Sequence, residues 1–149
     1  MRLGGPVFGE HAGPEQWAKA VREQGYRAAY CPGVPDDSPE AIKPYVEAAR
    51  EADIVLAEVG AWSNPLSSDP KVRNEAIDRC SKKLALADAA GARCCVNIVG
   101  SRGDKWDGPD PRDLTDDTFD LIVETVRQIL DAAKPTRTFY TLETMPWMY

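Results

Sequence analysis

The chain has 149 residues, 43% hydrophobic and 28% charged, a length and balance that suit one globular domain with its own core. Its net charge of −6 at pH 7 argues against a nucleic-acid partner, because proteins that bind the phosphate backbone present a basic surface. No apolar run approaches the roughly 18 residues that cross a bilayer, and residues 1–6 lack the apolar core of a signal peptide. We therefore expect a cytoplasmic protein without a membrane partner.

The first third of the chain alternates between strand and helix signals. Residues 1–3 form a candidate strand, which Gly4-Gly5-Pro6 interrupts. A helix is predicted over 14–24, because proline suits the first helical position and Gly25 is a good stop. Residues 27–31 are apolar and aromatic enough for a second strand.

The next helix carries a proline inside its pattern. Ser38 followed by a proline indicates a helix start. Pro44 lacks the N–H that a helix interior needs, so the sequence predicts one turn, a break, and then regular helix over 44–51. Residues 54–60 are almost continuously apolar, which is typical of a parallel strand buried on both faces.

The same alternation continues to the last residues. Asp69 and the proline after it predict the start of a third helix, and Gly91 predicts its end. A fourth strand is expected over 93–99, and Thr115 is a candidate cap for a fourth helix with an apolar stripe at three-four spacing. A fifth strand over 139–142 leads directly into Glu143.

This β-α-β-α-β-α-β-α-β order predicts an α/β fold with one parallel sheet. The connections from strand to helix are long, whereas those from helix to strand are short. In parallel β/α proteins the long loops share one face, at the carboxyl ends of the strands, where ligands bind. The sequence thus predicts that one rim collects the unusual residues of these loops: Glu10, His11, Glu58, Trp62, Asn64, Asn97, Ser101, Arg102, Lys105, Trp106, Glu143 and Trp147.

Two carboxylates stand out on this rim. Glu143 and Glu58 offer oxygen ligands for a divalent cation, and a carboxylate can also take a proton from a carbon beside a carbonyl. The alternatives are a surface salt bridge for Glu143 and pairing of Glu58 with Arg102 or Lys105. Only one histidine, His11, is present, so the count excludes a zinc site built from several histidines of this chain.

The other rim residues suit a small polar ligand. Trp62 and Trp106 could form aromatic walls for a sugar, or could cover the ends of the sheet. Asn97 could bind a hydroxyl-rich substrate, or form a turn. The Gly-Ser-Arg-Gly stretch over 100–103, which includes Arg102, could cradle a phosphate, although it matches no established phosphate loop.

The four cysteines do not suggest a metal site. Cys94 and Cys95 are adjacent in a predicted strand, so their side chains point to opposite faces, and no Cys-x-x-Cys spacing occurs. We expect reduced thiols, mostly buried.

The chain resembles the xylose-isomerase-like TIM-barrel superfamily of sugar-phosphate isomerases and epimerases. The resemblance is carried by Leu142-Glu143, by the stretch from Glu58 to Leu66 with its Asn-Pro-Leu, and by the stretch from Asn97 to Gly103. It covers the whole chain but only about five of the eight β/α units of such a barrel. It therefore implies a single, partial barrel domain over 1–149 that lacks the C-terminal units.

The resemblance implies a role for Glu143 alone. In that family the carboxylate at the end of the fifth strand binds the catalytic divalent cation (Mn²⁺, Mg²⁺, Co²⁺ or Zn²⁺), and in the epimerases it is also one of two acid/base groups. The other family ligands lie on later strands. Glu58, Trp62, Asn97, Arg102, Trp106 and His11 are then the candidate substrate-binding residues.

Three functions compete on this evidence. The first is a metal-dependent isomerase or epimerase of a sugar or polyol, as the N-terminal part of a longer enzyme. The second is a non-catalytic module that binds a small ligand or pairs through its open fifth strand, which would make it a homo-oligomer. The third is a nuclease like endonuclease IV. The acidic charge and the single histidine disfavour it.

Overall fold

The computed structural model describes residues 1–9 and 11–149, and it contains five parallel strands that alternate with four α-helices. The strands lie in the order β1-β2-β3-β4-β5, so each pairs with its neighbours in sequence. The elements are β1 Gly4–Gly5, α1 Pro14–Glu23, β2 Ala28–Tyr30, α2 Pro39–Glu51, β3 Val55–Gly60, α3 Pro70–Ala90, β4 Cys94–Ile98, α4 Asp116–Ala133 and β5 Phe139–Glu143. The predicted fold is confirmed: these are five of the eight β/α units of a barrel.

The ends of the two longest helices follow the predicted capping residues. The Asp69 carboxylate accepts a hydrogen bond from the N–H of Lys71 at 2.8 Å, and Gly91 ends α3 in the left-handed conformation with φ of 67°. The Thr115 hydroxyl accepts a bond from the N–H of Thr118 at the start of α4. These local signals are strong because each satisfies a backbone group that the helix itself leaves unpaired.

Two predicted elements were wrong in detail. α2 runs unbroken from Pro39 to Glu51 with Pro44 inside it. The proline removes one hydrogen bond, but it lies exposed, and the buried Ile42 and Ala48 hold both sides of it against the core. The first strand is Gly4–Gly5, not residues 1–3. At Gly4 a Cβ would lie 2.4 Å from the carbonyl oxygen of Ala28, so this close backbone pairing requires glycine.

The sheet has one face covered by helices and one face that they leave open. Val59, Cys95 and Tyr140 point toward the helices and belong to the main core. The alternate residues point to the opposite side, which we call the open face. Tyr30 and Phe139 on the open face are 49% and 72% exposed. In a complete barrel such inward side chains fill the interior, so the open face is the interior surface of an unclosed barrel.

Hydrogen bonds and ion pairs at the amino ends of the strands fix the sheet to its connections. The Asp88 carboxylate near the end of α3 accepts bonds from the N–H groups of Thr136, Arg137 and Thr138, just before β5. Asp53 similarly forms ion pairs of 2.8 Å with Arg2 and with Arg27, the residue just before β2. Both carboxylates lie opposite the rim, away from the predicted site.

The remaining general expectations concern thiols and membranes. All four cysteines are free, with Cys80 and Cys95 buried and Cys31 and Cys94 half-buried. Among the described residues, no helix has both the length and the apolar character that a bilayer crossing requires.

Candidate functional site

The two predicted carboxylates share the open face. Glu143 is the last residue of β5, pairs with Ile98 in register, and is exposed. Glu58 is the fourth residue of β3, two before its end, and is half-buried. Burial raises the pKa of the Glu58 carboxyl, and the negative charge of Glu143 raises it further. By strand register Glu58 lies level with Cys94 and Phe139, so Glu143 lies four residues further along the sheet and two strands away.

Neither carboxylate is neutralised by a basic side chain in the described part of the chain. Glu58 forms no salt bridge there with Arg102 or Lys105, the alternative raised by the sequence. Instead the Arg102 guanidinium donates a long hydrogen bond of 3.4 Å to the Thr118 hydroxyl. Both acids are thus without an ion-pair partner among the described residues, so each is available to bind a cation or a substrate hydroxyl.

Trp62 lies on the same face of the sheet as Glu58. Its indole turns back over Gly60, the residue that ends β3 on the same face as Glu58. Trp62 is 43% exposed, so part of its surface is free to contact a ligand. The structure therefore brings Trp62 and Glu58 to one side of the sheet.

A cavity of about 810 Å³ opens next to Trp62, between the β3–α3 and β4–α4 loops. Trp106, which is 40% exposed, also lines it, so the two predicted aromatic walls belong to one depression. Glu75 and Arg79 of α3 contribute charged groups to its floor. Glu58 and Glu143 are not among its lining residues, so the cavity is separate from the two carboxylates.

Asn97 lies on the other side of the sheet. It is fully buried, and its side-chain oxygen accepts a bond from the Ser63 N–H at 3.0 Å. Its amide group donates to the Ser63 carbonyl at 3.2 Å and contacts the Cys80 sulfur at 3.3 Å. Asn97 thus holds the start of the loop that follows Trp62. Because the residue is fully buried, it presents no exposed group for the predicted substrate contact.

Residues 100–103 do not form the phosphate cradle considered from the sequence. The N–H of Ser101 donates to Asn64, that of Arg102 to Asp113, and that of Gly103 to the Ser101 hydroxyl, at 2.8 to 3.0 Å. These three donors are therefore already satisfied by protein acceptors and are not free to hold an anion.

Asp113 is a residue of the site region that the sequence analysis missed. It is 1% exposed and accepts hydrogen bonds from the Ser101 hydroxyl at 2.7 Å and from the Arg102 N–H. It thereby fixes the β4–α4 loop that carries Trp106. Its only sequence signal was an aspartate in a loop rich in aspartates, where no local pattern separates a buried acceptor from an exposed charge.

A second missed group is the polar cluster behind the sheet. Within residues 1–9 and 11–149 the Tyr140 hydroxyl is buried without a hydrogen-bond partner, and burial raises the pKa of its phenol. The neighbouring Cys80 thiol also raises this pKa, and the Asn97 side chain lies close by. The alternation of β5 could have placed Tyr140 opposite Glu143, but not beside these groups.

His11 follows β1 on the rim side and is half-buried. Its Nε2 atom is buried and has no hydrogen-bond partner among the described residues, so this nitrogen is a candidate contact for a ligand. The rim prediction for Glu10 lies outside the described residues.

The chain offers the kind of ligand atoms that the metal prediction requires, but too few of them. Carboxylate oxygens are suitable ligands for a divalent cation, and Glu58 and Glu143 supply them. Within residues 1–9 and 11–149, however, no group of three or more histidine, cysteine, aspartate or glutamate side chains is arranged to hold a metal ion. Glu143 and Glu58 are thus at most a partial ligand set.

Comparisons with known proteins agree with this architecture. The family model described as "Xylose isomerase-like TIM barrel" matches residues 9–149. No match was found among curated proteins. The chain is similar in structure to D-psicose 3-epimerase from Clostridium cellulolyticum H10, with a TM-score of 0.70, 20% identity, and coverage of 97% of this chain and 53% of the epimerase.

Two further structures show the same fold. The 3-keto-D-glucoside 4-epimerase from E. coli has a TM-score of 0.66 and 12% identity, over 94% of this chain and 55% of that one. A xylose isomerase domain protein from Planctomyces limnophilus has a TM-score of 0.65 and 12% identity, over 95% and 53%. The chain spans about half the length of each of these structures.

Proposed function

The chain belongs to the xylose isomerase-like TIM barrel family, and from this membership we propose that the protein is a divalent-metal-dependent isomerase or epimerase of a sugar or related polyol. The observation that carries the proposal is the pair of uncompensated carboxylates, Glu58 and Glu143, on the open face of the barrel strands. Structures of similar fold include named sugar epimerases, which supports this reaction class. A cytoplasmic location is part of the proposal.

Glu143 is the proposed base and metal ligand. Its exposed carboxylate at the end of β5 can accept the proton from a carbon beside the sugar carbonyl, which leaves an enediolate. Return of a proton to the same or to the neighbouring carbon, on either face, completes an epimerisation or an isomerisation. When bound by Glu143 and further ligands, a divalent cation (Mn²⁺, Mg²⁺, Co²⁺ or Zn²⁺) would polarise the substrate oxygens.

Glu58 is proposed to bind the substrate beside that base. Because burial and the charge of Glu143 raise its pKa, Glu58 holds a proton to higher pH than an ordinary glutamate. Its carboxyl can hydrogen-bond a sugar hydroxyl whether it is ionised or protonated. Trp62, Trp106, His11 and Arg102 complete the proposed contacts.

The decisive test is Glu143→Gln in the full-length protein. Loss of the carboxylate should lower turnover of a ketose by about 10²-fold or more and weaken Mn²⁺ binding at the same time. Glu124→Gln, an exposed change on α4, is the matched control and should alter neither. Ketose conversion with Mn²⁺ and calorimetric Mn²⁺ titration would be measured for both variants. Turnover retained in Glu143→Gln would refute the role.

The exposed open face favours a second candidate, a non-catalytic module that pairs with another copy. Phe139 is 72% exposed on the edge strand β5, and an uncovered edge can pair with a further strand. This reading predicts dimers or larger species by light scattering, disrupted by Phe139→Lys, and no Mn²⁺-dependent conversion of ketoses. A monomer that converts a ketose with Mn²⁺ would rule it out.

A further inference from the structure

We infer that Gly60 is a positioning residue that seats the Trp62 indole on the open face beside Glu58, so that Trp62 forms the wall against which a sugar ring packs. The inference rests on the proposed function for its ligand, but the seating itself follows from the geometry of β3.

The space above Gly60 is filled by the indole. A Cβ atom at this position would lie 2.3 Å from Nε1 and 2.9 Å from Cδ1 of Trp62, and real Cβ contacts are not that short. Gly60 is absent from the glycines with positive φ, and it pairs with Val96 in an ordinary parallel register. Its backbone would therefore accept any residue, and only the position of Trp62 requires glycine here.

The seat lies on the same face as the carboxylates. Val59 is 4% exposed and points into the helix-side core, so its neighbours Glu58 and Gly60 both point to the open face. Two residues along a strand are about 7 Å apart, which is close to the width of a sugar ring. The indole over Gly60 and the carboxyl of Glu58 are thus spaced to contact one ring from two sides.

The chemistry of this pair indicates the ligand class. An indole surface packs against the C–H face of a sugar, and the neighbouring carboxyl of Glu58 bonds its hydroxyls. A methyl group at position 60 would force the indole away from the sheet by about 1 Å to restore normal contact. Because the obstructing atoms belong to a side chain that is 43% exposed, the indole can move without unfolding the strand.

The experiment compares Gly60→Ala, Trp62→Ala and the double variant in the full-length protein. Gly33→Ala is the control, because a Cβ there meets no atom within 4 Å. Ketose turnover with Mn²⁺ gives KM and kcat separately. Tryptophan emission and acrylamide quenching are measured without sugar. Subtracting the spectrum of the variant that carries Trp62→Ala from that of the matching protein with Trp62 intact isolates the environment of Trp62.

We expect Gly60→Ala and Trp62→Ala each to raise KM by about tenfold, with kcat changed by less than about threefold. The double variant should be no worse than either single one, since no indole remains to be displaced. Gly60→Ala should increase quenching of Trp62, whereas the same change in the Trp62→Ala background should leave the spectrum unchanged. Mn²⁺ affinity should stay at the wild-type value in all variants.

Wild-type KM and quenching in Gly60→Ala, or additive KM effects in the double variant, would overturn the inference. If Gly60→Ala fails to fold, the double variant should fold, because it lacks the indole that the new methyl group displaces. A double variant that also fails to fold would overturn the inference that Gly60 seats Trp62. Absence of ketose turnover in the wild-type protein would refute the proposed function instead, and the quenching data alone would then decide the seating.

Discussion

Replacement of Asn97 by alanine tests whether this buried amide supports the fold or binds the substrate. Asn97 is fully buried and makes two hydrogen bonds with the backbone of Ser63, at 3.0 and 3.2 Å. Each such bond contributes about 1 kcal/mol net, and its removal leaves the Ser63 N–H and C=O without partners in a half-buried setting. With the small cavity included, we expect the free energy of unfolding to fall by about 3 kcal/mol.

Urea unfolding followed by circular dichroism measures this change. For a chain of this size the urea m-value is about 2 kcal/mol/M, so the midpoint should fall by about 1.5 M. Asn74→Ala is the matched control, since Asn74 is exposed on α3, and its unfolding free energy should change by no more than about 0.5 kcal/mol.

Two results would separate the structural role of Asn97 from a catalytic one. The structural reading expects lower stability and a disturbed loop around Ser63, with Trp62 emission altered because the loop begins beside it. If Asn97→Ala had the stability of the wild-type protein and yet lost sugar affinity, the reasoning from its hydrogen bonds would be wrong. The amide would then be a substrate contact, as one reading of the sequence suggested.

Two further predictions concern Asp88 and Cys31. Burial would raise the pKa of Asp88, but hydrogen bonds from residues 136–138 outweigh it and hold the pKa below its usual value. Asp88→Ala should therefore lower the unfolding free energy by about 2 kcal/mol above pH 4. The loss should shrink as the pH falls through the pKa of Asp88 in the folded protein. Urea titrations measure it, and an equal loss in the exposed control Asp131→Ala would contradict this reasoning. Burial raises the pKa of Cys31 to about 11, so about one thiol in a thousand is ionised at pH 8. Iodoacetamide labelling, read by peptide mass spectrometry, should be slow at pH 8 and rise about tenfold per pH unit, whereas complete labelling within minutes at pH 7 would exclude this environment.

Local signals in the sequence were enough for the order of elements. Asp69, Gly91 and Thr115 mark helix ends in the structure as they did in the sequence, because a cap is a contact between residues a few positions apart. The apolar run of β3 and the aromatic run before Glu143 are strands for the same reason. The family resemblance that these stretches carried is confirmed by the family model.

Pro44 shows the limit of a local argument. Its missing N–H does weaken α2 locally, but the helix is held by side chains on both sides of the proline, of which Ile42 and Ala48 are buried in the core. That packing involves residues far away in the chain, so no window around the proline contains it.

The sequence alone determined that Glu58, Trp62, Asn97 and Glu143 belong to or follow parallel strands. It could not determine which side of the sheet each one faces, because a parallel strand buried on both faces is apolar at every position and hides its alternation. Only the tertiary structure decided that Glu58 and Glu143 both lie on the open face, while Asn97 lies behind the sheet against α3. The physical reason is that the helices cover one face only, and contacts between elements distant in sequence determine which face that is.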